Sequence, residues 1–416
     1  MRKTKNKIKV LETFSGIGAQ KKAITQLNKK YRKDIFEVKA TADWDARANI
    51  SYAQIHHNLE DKYLKILEKH NLDTEEKINF FLGKYTISLD SKKPSRIRQK
   101  DYKFKQYLAA SILLTNNQVD ITKLDPKIIK KEGIDLITYS FPCQGLSVAS
   151  MGKAKGINNT ESTSNLVWEI YRILDESEVK PKYLVMENVK NLLSKNFINE
   201  YQGWKGVLDQ LGYKTFTTVI NALDAGSIQK RERVFAISLL KNIETPFSND
   251  EEFKQYLDKK MQKQKLSLAK REKYFKEIFD FERNDNNDIF IINKTPSRER
   301  MVDFQISKKK VLNKSENFVI DTVTTKQDRI PNVGIIEYAN DIETKLPYRF
   351  VSTKEAYMLM GFEGNDFDSL NNLIKNNILT KESLYRQAGN SIVVQAIKNI
   401  FETIKEIEDI NNEKNK

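Results

Sequence analysis

The sequence predicts an α/β fold in which a parallel sheet is followed by a smaller, mixed segment. Strand-like apolar runs alternate with helical spacing as far as Leu240, which is typical of parallel strands joined by crossover helices. The first run, residues 8–11, leads through two glycines into helical spacing at residues 23–27. Beyond Leu240 the charge becomes denser and the apolar runs shorter, so we expect a second domain to begin there.

Four further strands are expected in the first part of the chain. They lie in the apolar runs at residues 36–45, 133–144, 182–193 and 233–240. Residues 46–118, between the second and third strands, are charged and mostly helical in spacing. We therefore expect a charged helical insertion in the sheet domain.

The second part of the chain is expected to mix helices and strands. Residues 249–280 place apolar side chains at helical intervals among dense charge, which predicts a long amphipathic helix. Residues 289–351 contain short apolar runs separated by Thr, Pro and Asn, so we expect strands among them. Helical spacing returns at residues 352–362 and 387–407.

Composition limits the class of protein. The 71 Lys and Arg exceed the 56 Asp and Glu and give a net charge of +15, which favours a polyanionic partner, nucleic acid first. A solvated basic surface would have the same composition. One cysteine excludes an internal disulfide, and no apolar run approaches the length of a membrane span. We expect a cytoplasmic protein without membrane contact.

The glycines after the first strand are candidate ligand contacts. Gly16 and Gly18 allow a backbone to approach a ligand and open a helix. Lys21 stands where a dinucleotide fingerprint has its third glycine, so a nucleoside without a pyrophosphate fits better. Asp43 and Trp44 end the second strand and could hold ribose hydroxyls and cover a base. An exposed acidic turn and a core tryptophan explain the same residues.

The single cysteine, Cys143, follows Pro142 at the end of an apolar strand. Catalytic groups gather at the carboxyl ends of such strands, and the small, polar residues that follow suit a mobile lid. By position alone, a nucleophile and an inert thiol remain equally open. The histidines lie at 56, 57 and 70 and match no thiol-protease or zinc-site spacing, so we expect no metal.

A second set of candidates combines an acid with alternating polar residues. Glu187 lies at another strand tip beside apolar neighbours, where burial would raise its pKa and let it hold a proton, unless it only favours the start of a helix. Gln229, Arg231 and Arg233 alternate, which predicts that they share one face of a strand. Such a face suits a negative or polar ligand group, or it is a solvated edge.

Two weaker candidates complete the set. Asp120 and Ile121 could hold an adenine edge, although Asp120 is also an ordinary strand-end aspartate. Asn390 and Ser391 stand at the expected start of an apolar helix and could cap it, bind a ligand, or do both.

The order of these motifs resembles that of the cytosine-5 DNA methyltransferases, over residues 8 to about 400. The matching stretches are FSGIGA, DW, VDI, FPCQGLS, ENV, QKRERVF, RFVSTKEAYMLMGF and GNSIVV. The resemblance implies a Rossmann-like, S-adenosylmethionine-dependent methyltransferase sheet with a smaller, mixed target recognition domain. It also implies methyl transfer to C5 of a flipped cytosine in a specific short duplex DNA sequence, through a covalent adduct between Cys143 and C6.

The resemblance also implies residue roles. The residues implied as cofactor contacts are Phe14, Gly16, Asp43, Trp44, Asp120, Ile121, Pro142, Leu166, Asn390 and Ser391. The residues implied as catalytic are Cys143, Glu187, Arg231 and Arg233. The residues implied as DNA contacts are Gln144, Ser147, Gln229 and Thr322.

The resemblance further implies a domain division and a biological setting. The implied segments are a catalytic domain at 1–241, a target recognition domain at 242–348, a connecting segment at 349–380 and a returning segment at 381–416. We expect a monomer of prokaryotic or viral, restriction–modification type, with a separate cognate endonuclease as a possible partner. The basic stretch at 91–105 fits either an added DNA contact or a solvated excursion.

Two alternatives remain open at this point. An RNA cytosine-5 methyltransferase would share the chemistry, although the sizeable segment between residues 241 and 345 favours duplex readout. A DNA-binding protein without catalysis is the other alternative, against which Cys143, Glu187 and both arginines argue.

Overall fold

The computed structural model describes residues 7–143, 145–146, 155–281 and 289–414. The chain divides into two compact units. Unit 1 comprises Met1–Ile220, Glu232–Lys260 and Ile397–Lys416, and unit 2 comprises Asn221–Arg231 and Met261–Ala396.

The described residues form the following strands and helices. The strands are β1 (Ile8–Thr13), β2 (Phe36–Ala42), β3 (Leu136–Tyr139), β4 (Tyr183–Val189), β5 (Tyr213–Asn221), β6 (Gln229–Lys230), β7 (Glu232–Leu240), β8 (Ile291–Asn293), β9 (Ile320–Asp321), β10 (Ile335–Glu337) and β11 (Lys345–Phe350). The helices are α1 (Ala19–Tyr31), α2 (Ala46–His57), α3 (Leu59–Lys69), α4 (Glu75–Leu82), α5 (Tyr102–Leu114), α6 (Lys127–Glu132), α7 (Val167–Glu176), α8 (Ile198–Gln210), α9 (Asp250–Gln262), α10 (Leu268–Ile278), α11 (Pro296–Ser307), α12 (Thr353–Leu359), α13 (Gly364–Asp368), α14 (Asn371–Lys375), α15 (Lys381–Asn390) and α16 (Val394–Lys414).

The sheet of unit 1 has the strand order β2-β1-β3-β4-β7-β5. β1 pairs in parallel with β2 and β3, and β3 pairs in parallel with β4. Parallel strands end at the same side of a sheet, and we call the side at which β1 to β4 end the carboxyl edge. The α/β sheet expected from the sequence is confirmed.

The expectation of a purely parallel sheet is wrong for β7, which runs antiparallel to β4. The chain passes from β5 to β7 through residues 222–231, which contain no helix. A parallel connection needs a crossover of roughly a dozen or more residues, so this short link cannot return the chain to the start of the sheet. The sheet is therefore mixed.

The core of unit 1 explains why its strands read as continuous apolar runs. Ile137, Leu184 and Val234 on neighbouring strands are fully buried in one apolar cluster. Helices α7 and α8 add Ile170 and Trp204 to the same cluster. Strands that are covered on both faces have no polar face. Their sequences are therefore continuous apolar runs and do not alternate between apolar and polar residues.

The insertion at 46–118 is helical, as expected, and contains α2 to α5. The expected helix over 249–280 is instead two helices, α9 and α10. The Ser267 side chain accepts a hydrogen bond from the Lys270 amide and starts the second helix. A side-chain cap of this kind accepts from an amide in the first turn, which has no carbonyl partner within the helix. It therefore favours the start of a new helix. One strand, β5, was not anticipated.

Unit 2 contains the mixture of strands and helices that the sequence predicts. β10, β11 and β8 form a three-stranded antiparallel sheet, and β6 pairs in parallel with β9. The Arg349 guanidinium is fully buried and donates to both carboxylate oxygens of Glu355 at 2.8 Å. A buried charge requires such pairing, so this contact links β11 to the start of α12.

Within the described ranges, no helix is long and apolar enough to cross a membrane. The same residues include no group of three or more His, Cys, Asp and Glu that could hold a metal ion.

Candidate active site at the carboxyl edge of the sheet

Cys143 lies at the carboxyl edge, four residues beyond the end of β3, with a half-buried thiol. The backbone around it is held by Ser164. The Ser164 hydroxyl donates to the carbonyl of Pro142 at 2.6 Å and accepts from the amide of Gly145 at 3.2 Å. A side chain that binds backbone on both sides of the cysteine restricts the direction of the thiol.

Two asparagines, Asn188 near the end of β4 and Asn191 just beyond it, hold the same loop. The Asn188 amide donates to the carbonyl of Phe141 at 3.1 Å, and the Asn191 amide donates to that of Leu146 at 2.7 Å. The sequence interpretation did not single out these asparagines or Ser164. A signal was present for Asn188, since an amide ending an otherwise apolar strand needs a hydrogen-bond partner once it is buried.

Glu187 and Arg233 form an ion pair at this edge. In the β4–β7 ladder Glu187 faces Phe235, so Arg233 is its diagonal neighbour. The Arg233 Nε lies 3.2 Å from Glu187 Oε1, and both side chains are largely buried. The site therefore presents a carboxylate and a guanidinium that are both shielded from solvent and oriented by two strands.

The loop that follows Cys143 is closed at its base. The Gly156 amide donates to the carbonyl of Gly145 at 3.0 Å. Glu200 on α8 accepts from the amides of Ile157 and Asn158 at 2.6 and 3.0 Å. Residues 147–154, with Ser147, lie outside the described residues, and so does Gln144.

The glycine turn after β1 lies at the same edge. Phe14, Gly16 and Gly18 have φ of 53°, 53° and 77°, in the left-handed region that favours glycine. The Gly16 amide donates to Asp43 Oδ2 at 2.8 Å. A Cβ added to Gly16 would meet no atom within 4 Å, so open space adjoins this backbone. The turn and Asp43 thus form one cradle, as expected for a nucleoside contact.

Asp43 is held in place by its neighbours. Asn117 accepts from the Asp43 amide at 3.1 Å, and both Asn117 and Asn49 donate to its carbonyl. Burial, reinforced by the nearby Asp45 carboxylate, raises the pKa of Asp43 to about 6. Trp44 is half-buried beside it.

The expected adenine contacts adjoin this cradle. Asn117 also accepts from the amide of Val119, whose φ of 59° is unusual for a β-branched residue. The Asp120 carboxylate accepts from the amide and hydroxyl of Thr122 and starts a 3₁₀ turn rather than ending a strand. The Ile121 side chain belongs to the core. Asn117 therefore connects the two proposed halves of a nucleoside site.

A buried acid lies directly before the glycine turn. Glu12 is fully buried in β1, and the Tyr52 hydroxyl donates to it at 3.0 Å. Burial raises the pKa of Glu12 to about 8, so this carboxyl is mostly protonated at neutral pH. Glu12 was missed in the sequence, although an acid inside an apolar strand is a signal of a buried polar contact.

Leu166 is half-buried against the core at the start of α7. It follows Ser164 in a 3₁₀ turn, and that turn connects it to the backbone of Pro142. The hydrogen bond of Ser164 therefore connects the turn that contains Leu166 to Pro142.

Arg231 binds backbone within unit 2. Its guanidinium donates to the carbonyl of Val323 at 2.8 Å and to those of Gly389 and Ser391 at 2.9 Å. The predicted shared face with Arg233 is not formed, because Arg231 lies between the two strands β6 and β7. A period of two holds only inside a continuous strand.

Gln229 is fully buried in unit 2. Its amide oxygen accepts from the Val323 amide, and its nitrogen donates to the Leu359 carbonyl, both at 3.0 Å. The amide is thus used within the fold, and the expected DNA contact of Gln229 is not supported by this geometry. Thr322 is half-buried, and its hydroxyl donates to the Lys230 carbonyl at 3.0 Å.

Asn390 and Ser391 do not start a helix. Asn390 is the exposed last residue of α15 and Ser391 is its C-cap, while α16 begins at Val394. The Arg231 contacts to Gly389 and Ser391 occupy the carbonyls at this helix end. The expected single helix over 387–407 is therefore two helices with a tethered turn between them.

Comparisons with known proteins agree on one family. A model of the C-5 cytosine-specific DNA methylase domain matches residues 94–406. The chain is 35% identical to the orphan methyltransferase M.SssI of Spiroplasma monobiae, over 97% of this chain and 98% of that protein. It is 31% identical to the type II methyltransferase M2.ScrFI of Lactococcus lactis, over 95% and 99% of the two chains.

A solved structure shows the same fold. The Dnmt2 methyltransferase of S. pombe aligns with a TM-score of 0.59 at 16% identity, over 98% of this chain and all of that chain.

The tether on the cysteine loop can be tested through Cys143, the single cysteine. Asn188→Ala removes the hydrogen bond to the Phe141 carbonyl, which is worth about 1 kcal/mol, so the loop should open more often. We expect modification of the thiol by an aromatic disulfide reagent to become several-fold faster. The exposed Lys195→Ala is the control and should react at the wild-type rate. An unchanged rate in Asn188→Ala would show that this contact does not restrain the loop.

Proposed function

The chain belongs to the C-5 cytosine-specific DNA methylase family, and we propose that Cys143, Glu187 and Arg233 form its reaction centre. The protein is a DNA (cytosine-5-)-methyltransferase that uses S-adenosylmethionine. The observation that carries the residue assignment is the largely buried Glu187–Arg233 pair on the strand beside the cysteine loop. Asn188, next to Glu187, binds that loop directly.

Cys143 is proposed as the nucleophile. C5 of cytosine is too electron-poor to accept a methyl group directly. When the thiolate adds to C6, an S–C6 bond forms. The π pair of the C5–C6 bond shifts to C4–C5, and the π pair of C4–N3 moves to N3. The product is an enamine whose C5 is nucleophilic. After methylation, transfer of the C5 proton to a base re-forms the C5–C6 double bond and breaks the S–C6 bond, which releases the thiolate. The contacts of Ser164 and Asn188 with the neighbouring backbone position the sulfur for these reaction steps.

Glu187 is proposed to bind N3 of the cytosine. The charge that enters the ring on thiolate addition accumulates there, and a carboxyl group that shares or donates a proton accepts it. Arg233 keeps the carboxyl oriented and adds a positive charge for the thiolate or the base. We also assign to the Arg233 guanidinium the role of favouring the ionised form of Cys143.

The cradle of the glycine turn and Asp43 fits a nucleoside cofactor. The open space beside Gly16 leaves room for the ligand. We assign to the Asp43 carboxylate, which accepts from the Gly16 amide, the further role of accepting from ribose hydroxyls. S-adenosylmethionine supplies an electrophilic methyl group on a sulfonium. We assign Trp44 and Asp120 to the adenosine end. The further proposed contacts are Phe14, Ile121, Pro142, Leu166, Asn390 and Ser391.

The substrate is proposed to be a specific short sequence in duplex DNA. C6 of a stacked base is out of reach, so the target must be flipped into the site. We propose that the segment at 242–348 reads base edges, with Thr322 near the DNA, and that Gln144 and Ser147 contact the DNA beside the flipped base. Gln229 and Arg231 are assigned to support, since they hold the backbone of Val323 next to Thr322.

The biological setting is a proposal of the same kind. We propose a monomeric cytoplasmic methyltransferase of the restriction–modification class, acting separately from any cognate endonuclease. One relative is named an orphan and the other a type II methyltransferase, so both arrangements occur among similar proteins. Bisulfite sequencing of DNA methylated by the purified protein identifies the target.

The nucleophile is tested by Cys143→Ser. The hydroxyl is a much weaker nucleophile, so transfer of labelled methyl to duplex DNA should fall by at least about 10³-fold. The variant should keep its fold and its affinity for S-adenosylmethionine. Wild-type protein should form a detergent-stable adduct with duplex containing 5-fluorocytosine, and the variant should not. Full activity of Cys143→Ser would overturn the assignment, and methylation of tRNA but not of duplex would indicate the RNA alternative.

The two arginines are expected to have different roles. Arg233→Lys should lower kcat by about 10²-fold with little change in KM, because it removes an oriented donor at the reacting base. Arg231→Lys should raise the KM for S-adenosylmethionine and lower Tm, because the backbone near Ser391 loses its tether, while kcat changes by less than about tenfold. Steady-state kinetics and thermal unfolding separate these outcomes. Equal losses of kcat in both variants, with unchanged KM and Tm, would contradict the division.

The pKa of Asp43 predicts how cofactor binding depends on pH. Ribose hydroxyls donate to a carboxylate, so affinity should be full above the pKa of about 6 and should fall as Asp43 is protonated. We expect the Kd for S-adenosylmethionine, measured calorimetrically, to rise up to about tenfold per pH unit below 6. Burial holds the pKa of His56 and His57 at about 3 and about 4, so neither titrates in this window. Asp43→Asn should bind weakly with a flat profile, and a sloping profile in that variant would refute the interpretation.

A further inference from the structure

A strongly basic segment lies in the insertion between β2 and β3. Residues 84–103, the basic segment, contain seven Lys and Arg and two Asp, which gives +5 out of the +15 of the chain. The cationic residues of the segment are Lys84, Lys92, Lys93, Arg96, Arg98, Lys100 and Lys103. Nothing in the reaction mechanism uses them.

The centre of the segment is a hairpin loop at residues 88–95, closed by hydrogen bonds between its two ends. The Ser95 amide donates to the Ile87 carbonyl at 2.8 Å, and the Ser88 hydroxyl donates to the Lys93 carbonyl at 2.7 Å. The Asp90 carboxylate accepts from the backbone amides of Lys92 and Lys93. Asp90 is therefore engaged in holding the loop, and its carboxylate also interacts electrostatically with Lys92.

This loop is attached to the carboxyl edge of the sheet. The Ser88 amide donates to the carbonyl of Trp44, and the Ser88 carbonyl accepts from the amide of Ala46, both at 2.8 Å. The Ser91 hydroxyl donates to Asp45 at 2.5 Å. The loop thus sits immediately beyond the end of β2, on the same side of the sheet as Cys143.

The loop presents its charges to solvent. Lys92, Lys93 and Arg96 are exposed, and among the described residues no carboxylate lies within 4 Å of their charged groups in an ion pair. Lys123 approaches from another segment, and its ammonium group donates to the Thr86 hydroxyl at 2.7 Å. Four exposed cations from two chain segments therefore face solvent at this edge.

We propose that the loop at 88–95 binds backbone phosphates of the duplex on one flank of the target cytosine. The inference rests on duplex DNA being the substrate. Exposed lysines and arginines without carboxylate partners release counterions when they neutralise phosphates, which supplies affinity without sequence preference. A rigid loop loses less conformational entropy on binding than a flexible tail would.

The distances are compatible with that role. β1 separates β2 from β3, and neighbouring strands lie about 4.8 Å apart, so the ends of β2 and β3 are about 10 Å apart. The side chains of the loop reach about 5 to 10 Å further. At about 3.4 Å per base pair along the duplex, this total of about 15 to 20 Å corresponds to phosphates roughly four to six base pairs from the flipped base.

The test is charge reversal at Lys92→Glu, Lys93→Glu and Arg96→Glu together. Binding to a 40-base-pair duplex is measured by fluorescence anisotropy between 50 and 300 mM KCl. We expect affinity at the lowest salt to fall at least tenfold, and the slope of log K against log salt to become shallower by about two to three. A matched Gln variant at the same positions separates loss of attraction from added repulsion and should fall between wild type and the Glu variant.

The control reverses three exposed lysines at the opposite end of the sheet. Lys29 lies in the last turn of α1, and Lys127 and Lys131 lie on α6, which precedes the start of β3. The net charge changes equally, so a long-range effect of charge alone would weaken DNA binding to the same degree. We expect this control to bind within about twofold of wild type, with an unchanged slope.

Activity distinguishes the outcomes further. At saturating DNA the Glu variant should keep its kcat and its Kd for S-adenosylmethionine, while the KM for DNA rises. Wild-type affinity and slope in the Glu variant, or an equal loss in the control, would overturn the proposal while leaving the methyltransferase assignment intact. A change of slope on tRNA but not on duplex would also overturn it. Failure of the wild-type protein to methylate duplex would instead refute the substrate on which the inference rests.

Discussion

The antiparallel pairing of β7 with β4 is the constraint on which the candidate site depends. It places Arg233 diagonally opposite Glu187, so that a guanidinium and a carboxylate meet at 3.2 Å at the carboxyl edge of the sheet. The ladder also fixes the identity of the arginine that reaches this pair. Because Arg231 lies just before β7 begins, it is outside the ladder and binds carbonyls of unit 2 instead. One strand direction thus separates two arginines that are only two residues apart.

Side-chain amides and hydroxyls stabilise the loops that carry the reactive groups. Ser164 holds the backbone on both sides of Cys143, and Asn188 holds it before Cys143. Asn117 holds both Asp43 and Val119. Loops at strand ends have no ladder to satisfy their amides and carbonyls, and a buried backbone group without a partner is costly. These residues therefore position the chemistry without taking part in it. Their mutation should act through geometry rather than through loss of a reactive group.

The charged side chains of the candidate site and of the insertion differ in their exposure to solvent. At the candidate site the charges are shielded and paired, as in Glu187 with Arg233. In the insertion they are numerous and exposed. Shielded charges act strongly on one reacting group, whereas exposed charges act weakly on many phosphates. A protein that binds a long polyanion and reacts with one base of it needs both kinds.

The sequence alone determined the family, the approximate positions of β1 to β4 and β7, and the residues at their ends, because motif order and apolar runs are local properties of the chain. It predicted that Cys143, Glu187, Asp43 and the glycine turn lie at one edge of a sheet, since parallel strands end together. The tertiary structure decided the direction of β7, the separate partners of Arg231 and Arg233, the burial of Gln229, and the asparagines that hold the loops. Each of these depends on contacts between residues far apart in the chain, and a pattern within ten residues carries no information about its distant partner.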